Sequence, residues 1–102
     1  MQLSHAEKET IKKELAESLS DAPEVVKVVV FGSFVSAEDP NDIDVAVFQN
    51  SDQPYLPLAM KYRKITRAIA NKIALDILPL KPGARDSIMM DAIARGEVIY
   101  ER

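Results

Sequence analysis

Apolar residues recur along the chain with two periods, and the switches between them divide it into elements. Ile11, Leu15 and Leu19 stand four apart in a segment whose other face is charged, the stripe of an amphipathic helix. Ser4 followed by Glu7 fits a capping box, and Pro23 disfavours helix in the residue before it, so a helix is predicted over residues 4–19. Residues 25–31 read Val-Val-Lys-Val-Val-Val-Phe, which predicts a central strand covered on both faces. Gly32-Ser33 stops it. Residues 36–41 are polar with Pro40 and read as a loop, and the link between the first two strands has room for a short helix.

Residues 43–48 predict a second buried strand, and 50–57, with two prolines, a loop. Leu58, Tyr62, Ile65, Ile69 and Ile73 then form a stripe at spacings of four, three, four and four, a second amphipathic helix. Residues 75–80 predict a third strand, closed by Pro79, Pro82 and Gly83. Residues 86–95 predict a short helix with Gly96 as its C′ residue, and 98–101 a last strand at an edge. Strands interleaved with helices give the fold class: α/β (α+β), a small mixed sheet flanked by helices. The pattern alone leaves strand order open.

Composition narrows the function. The 102 residues suit one domain, read as 1–102, and are 47% hydrophobic and 28% charged. The net charge of −3 argues against a dedicated nucleic-acid binder. There is no Cys, which removes disulfide, zinc-thiolate and thiol chemistry and points to a reducing cytoplasm. No apolar run has the ~18–20 residues of a membrane helix, and the polar N-terminus is unlike a signal peptide. The single histidine, His5, reads as a solvated side chain on the first helix. The cations Lys61, Arg63, Lys64, Arg67 and Lys72 read mostly as the solvated face of the second.

Candidate chemistry lies in three acids. Asp42 and Asp44 are two apart at the start of a strand, where residues i and i+2 share a face, while Ile43, Val45 and Val47 point into a core. Two adjacent carboxylates raise each other's pKa unless a cation lies between them. With oxygen ligands and no His or Cys nearby, that cation is Mg²⁺ or Mn²⁺. Asp76 interrupts a third apolar strand, and an acid there is costly unless paired, hydrated or bound to metal. If this strand neighbours the second, Asp76 joins the pair, and three carboxylates can hold two ions ~3.5–4 Å apart. After the first strand, Gly32 permits close approach of a phosphate, and backbone N–H groups with the Ser33 hydroxyl can bind its oxygens. An EF-hand loop starting at Asp39 is a poor fit, since the glycine at its sixth position is missing.

An apolar strand, Gly-Ser, Asp-x-Asp on the next strand and a third acid on a later one resemble the minimal nucleotidyltransferases of the DNA polymerase β-type superfamily. The matching positions are Gly32, Ser33, Asp42, Asp44 and Asp76, and the stretch from Ile93 to Tyr100 also looks like the end of that family's pattern. Where relatives often carry an Arg-rich stretch, this chain has Phe34-Val35-Ser36-Ala37. The resemblance implies a nucleotidyltransferase fold. It also implies transfer of a nucleoside monophosphate, AMP from ATP above all, to an acceptor hydroxyl. Asp42, Asp44 and Asp76 would be the catalytic metal ligands and Gly32 and Ser33 the phosphate site. Only 102 − 76 = 26 residues follow Asp76, so the acceptor is expected from a second subunit or another protein. In the minimal branch the implied role is that of the antitoxin of a helical HEPN-type toxin. The competing expectation is a catalytically silent module that keeps the fold for protein binding.

Overall fold

The structure, a computed structural model, describes residues 4–36, 42–82 and 87–102, the side chains of Ser33, Ser36 and residues 87–89 excepted. Most of the predicted loop at 36–41, together with Gly83 and Asp86, lies outside the described residues. In chain order the elements are α1 (His5–Ser20), β1 (Val25–Phe31), α2 (Ser33–Ser36), β2 (Asp42–Gln49), α3 (Tyr55–Ile65), α4 (Arg67–Ala70), β3 (Ala74–Leu80), α5 (Ser87–Ala94) and β4 (Glu97–Glu101).

α1 begins as its sequence requires. Ser4 accepts from the Glu7 backbone N–H, and the Glu7 side chain accepts from the Ser4 N–H, which completes the capping box. Its stripe of Ile11, Leu15 and Leu19 is buried. His5 stands in solvent, 90% exposed, with Glu9 the nearest acid at 3.9 Å.

The four strands form one mixed sheet in the order β3-β2-β1-β4. β1 runs antiparallel to both β2 and β4, and β2 runs parallel to β3. β3 and β4 are therefore the edges, and Pro79 fits β3 because an edge strand tolerates a missing N–H. Against one face pack α1, α3 and α4, with Leu15, Leu19, Tyr62 and Ile69 meeting Val28, Val30, Ile43, Val45, Val47 and Ile77. On the other face a smaller cluster joins Val29, Phe31, Ala46 and Phe48 to Ile93 of α5, with Met90 half-buried beside it. Both central strands are thus covered on two sides, as their nearly continuous apolar runs predict.

Three expectations need correction. The single helix read from the stripe 58–73 is two helices broken at Thr66 (φ −100°, ψ 13°). The buried Thr66 hydroxyl donates to the Tyr62 carbonyl at 2.7 Å, and such back-bonding by Ser or Thr competes with the regular ladder. The stripe continues across the break because Leu58, Tyr62 and Ile69 still face the core. The loop predicted to run through Pro57 ends earlier, since Pro57 lies in the first turn of α3, where its missing N–H costs no hydrogen bond. Gly96 is not a left-handed C′ residue, because Gly32 is the one glycine with positive φ among the described residues. A Cβ at Gly96 would lie 2.5 Å from the Val30 carbonyl oxygen and 2.8 Å from the Phe31 Cβ. Close approach to β1, not backbone conformation, requires glycine there.

Candidate active site

Strand register assembles the acids. Phe31 is opposite Asp44 across the β1–β2 pair, and Asp44 is opposite Asp76 across the β2–β3 pair. Neighbouring strands stand roughly 4.8 Å apart, so Asp44 and Asp76 are lateral neighbours on one face of the sheet. Asp42 lies two residues before Asp44 on the same face. Alternation sends Ile43, Val45 and Val47 to the opposite face, where none has any exposed surface. The site lies where β1 ends and β2 and β3 begin.

Gly32 follows Phe31 at φ +77°, a left-handed conformation that suits glycine. The volume that a Cβ would occupy there is filled by the Asp44 carboxylate. Any side chain at position 32 would strain the backbone and displace Asp44. Ser33 then opens α2, and the Val35 N–H donates to the Gly32 carbonyl at 3.2 Å. The Ser33 side chain lies outside the described residues.

Burial differs among the acids. Asp42 and Asp76 are exposed and Asp44 is partly buried. The cost of an acid buried within an apolar strand therefore does not apply to Asp76, whose side of β3 is open at that end. Burial pushes the Asp44 carboxyl above its ordinary value, and the charges of Asp42 and Asp76 push it further. A cation would reverse that repulsion. Among the described residues no three His, Cys, Asp or Glu side chains converge into a ready metal shell. Three oxygen donors on one face nevertheless fit Mg²⁺ or Mn²⁺, because Mg²⁺ is commonly held by one or two carboxylates completed by water and substrate phosphates.

On the opposite face a pocket of 540 Å³ opens between α1 and the end of α4, bordered by Thr10, Ile11, Glu14 and Lys72. The sheet separates it from the acids. Two of the five helix cations are engaged elsewhere. Lys61 pairs with Glu24 at 2.9 Å and Lys72 with Glu14 at 3.3 Å. One residue that sequence reasoning passed over is Arg95. It shares a pocket of 250 Å³ with Gly32, Val35 and Ala92. The available signal was its position immediately before Gly96.

A family model, Polymerase beta nucleotidyltransferase, matches residues 13–102. The chain belongs to that family. Solved structures agree on the nucleotidyltransferase fold. One is a complex of a tri-AMPylated Shewanella oneidensis HEPN toxin with its MNT antitoxin. It matches at 17% identity and a TM-score of 0.68, over 93% of this chain and 73% of that one. The toxin–antitoxin MntA-HepT matches at 15% identity and a TM-score of 0.65, over 92% of this chain and 73% of that one. No curated protein sequence matches the chain. Within the nucleotidyltransferase fold, the acids at the start of β2 and β3 and the glycine after β1 form the candidate centre. No helix among the described residues is long and apolar enough to cross a membrane.

Proposed function

We propose that this nucleotidyltransferase transfers AMP from ATP, with Mg²⁺ or Mn²⁺, to an acceptor hydroxyl on a separate HEPN-type protein, as the antitoxin of a toxin–antitoxin pair. The observation that carries the chemistry is the register Phe31–Asp44–Asp76 with Gly32 immediately after Phe31. The partner is argued from the likeness to MNT chains solved with HEPN toxins.

In this reading Asp42, Asp44 and Asp76 hold the divalent ion or ions. A metal held there would neutralise phosphate charge and lower the pKa of the acceptor hydroxyl. Gly32 makes room for the Asp44 carboxylate against the backbone, and phosphate oxygens would meet the same turn. Ser33 adds a hydroxyl on the same turn. Asp76, exposed at the outer edge of the sheet, borders the side from which an acceptor arrives. The acceptor hydroxyl gives up its proton to solvent, its oxygen bonds to the α-phosphorus as the bond to the β-phosphate oxygen breaks, and pyrophosphate leaves. Catalysis here is mostly positioning and charge neutralisation.

The test uses ATP labelled at the α-phosphate, Mg²⁺, the full chain and a lysate of its host, beside an Asp42→Asn/Asp44→Asn variant. Label should enter one macromolecule with the wild type and fall at least about a hundredfold with the variant. ATP binding without transfer would point to a missing partner or a regulatory nucleotide site, and neither transfer nor ATP binding would favour the silent protein-binding module.

A further inference from the structure

A triphosphate brought to three carboxylates needs cationic partners from the protein as well as from bound metal. The turn after β1 supplies none, because α2 (Ser33–Ser36) contains no basic residue. Phe34 is buried and Val35 is apolar. The fold brings a cation in from the other end of the chain. Gly96 packs against the Val30 carbonyl and the Phe31 Cβ, and this contact fixes the end of α5 beside the end of β1. Phe31 shares its sheet face with Asp44, since the two are register partners. Arg95, one residue before Gly96, is therefore held over the same face as the acids. There it lines the 250 Å³ pocket with Gly32, Val35 and Ala92.

Two nearby acids could have claimed its charge, and neither does. Glu97 is engaged by Lys12 at 2.9 Å. Asp91 lies one turn back, and only its backbone carbonyl meets Arg95, accepting from the Arg95 backbone N–H at 3.3 Å. Among the described residues the Arg95 guanidinium has no ion pair, and the residue is exposed. A planar, permanently charged fork beside a glycine turn suits the bidentate recognition of phosphate oxygens.

We propose that Arg95 is a phosphate-binding residue that takes the outer phosphates of the nucleoside triphosphate, the part that departs as pyrophosphate. The proposal rests on the nucleotidyltransferase reading above and adds the residue that distinguishes a triphosphate from a monophosphate.

The test measures ATP, AMP and inorganic pyrophosphate binding by calorimetry, with Mg²⁺, to the full chain and to Arg95→Ala and Arg95→Lys. Arg95→Ala should weaken ATP and pyrophosphate at least about tenfold and leave AMP within about twofold. Arg95→Lys should recover part of the loss, because charge returns without the fork. A purely structural role would lower the melting temperature and weaken all three ligands alike. Wild-type ATP affinity in Arg95→Ala would overturn the proposal and leave the nucleotidyltransferase reading standing. Failure of the wild type to bind ATP would overturn that reading and this one together.

Discussion

The two faces of the sheet are built from the same strands but carry different loads. On β2, Ile43, Val45 and Val47 have no exposed surface beneath α1 and α3. Their alternate neighbours begin with exposed Asp42 and partly buried Asp44 before reaching Ala46 and Phe48 under α5. One face is sealed along its whole length, while the other is covered at one end and open at the other. The open end carries charges that repel each other, and the sealed face supplies the stability that holds them in register. A site with an unfavourable electrostatic ground state needs such a backing, because the whole domain has only about 5–15 kcal/mol to spare.

Four substitutions would break or sharpen this contrast. The largest effect is expected on the sealed face. Leu15→Ala removes a fully buried side chain from α1 and should cost about 2–5 kcal/mol in urea unfolding. Met90→Ala, made on the half-buried cover of the other face, should cost less than half as much. Equal losses would mean that both faces bear the fold equally.

A smaller effect is expected at the rim of the sealed face. The Tyr62 hydroxyl donates to Glu24 at 2.8 Å, and Lys61 donates to the same carboxylate. Burial of Glu24 opposes its charge, but the hydrogen bonds from Lys61, its own backbone and Tyr62 prevail and hold the carboxyl below its ordinary value of 4.5. Tyr62 moves the other way, pushed well up by burial and by Glu24. Tyr62→Phe should cost about 1 kcal/mol at pH 7. A depressed carboxyl stabilises the fold above 4.5, and the gain is lost as pH falls through the depressed value. The penalty of Tyr62→Phe should therefore shrink in unfolding curves taken at pH 3.

The smallest effect has the opposite sign. Asp44 is raised above its ordinary value of 3.8, so stability is lost as pH rises from 3.8 through the raised value, and the full penalty of its ionisation stands above that. Asp44→Asn should stabilise the metal-free protein at pH 7 by less than about 1 kcal/mol, since the group is partly solvated. The gain should vanish below 3.8. Thermal melts at pH 7.5 and pH 3.5 in a chelator would check it. Destabilisation at neutral pH would show that the Asp44 charge supports the fold.

Much of this architecture is legible in the residues, because local chemistry decides it. Ser4 and Glu7 start α1, the β-branched run of residues 25–31 is β1, and the alternation after Asp42 assigns each side chain of β2 to a face. What could not be read depends on distant partners. The stripe through Tyr62, Ile65 and Ile69 continues across the break at Thr66, since a periodicity records which face is buried and not whether the ladder is continuous. Asp76 could be joined to Asp44 only once β3 was known to neighbour β2, and strand order is a long-range property. Arg95 was passed over because its one signal in the chain is the glycine beside it, and its relation to Gly32 is made by the packing of Gly96 on β1.

The strand order also sets a timetable for folding. β1 lies inside the sheet, yet one of its two neighbours, β4, follows α3, β3 and α5 in the chain. As the polypeptide leaves the ribosome, β1 can gain β2 early, but its other edge stays open until Glu97–Glu101 has been made. Such long-range closure is slow, and an open edge of Val-Val-Lys-Val-Val-Val-Phe is a template for pairing with another nascent chain. Lys27, the one charge in that run, is the kind of gatekeeper that lowers this hazard. A side chain with no part in the chemistry thus guards the chain during the interval before its own sheet is complete.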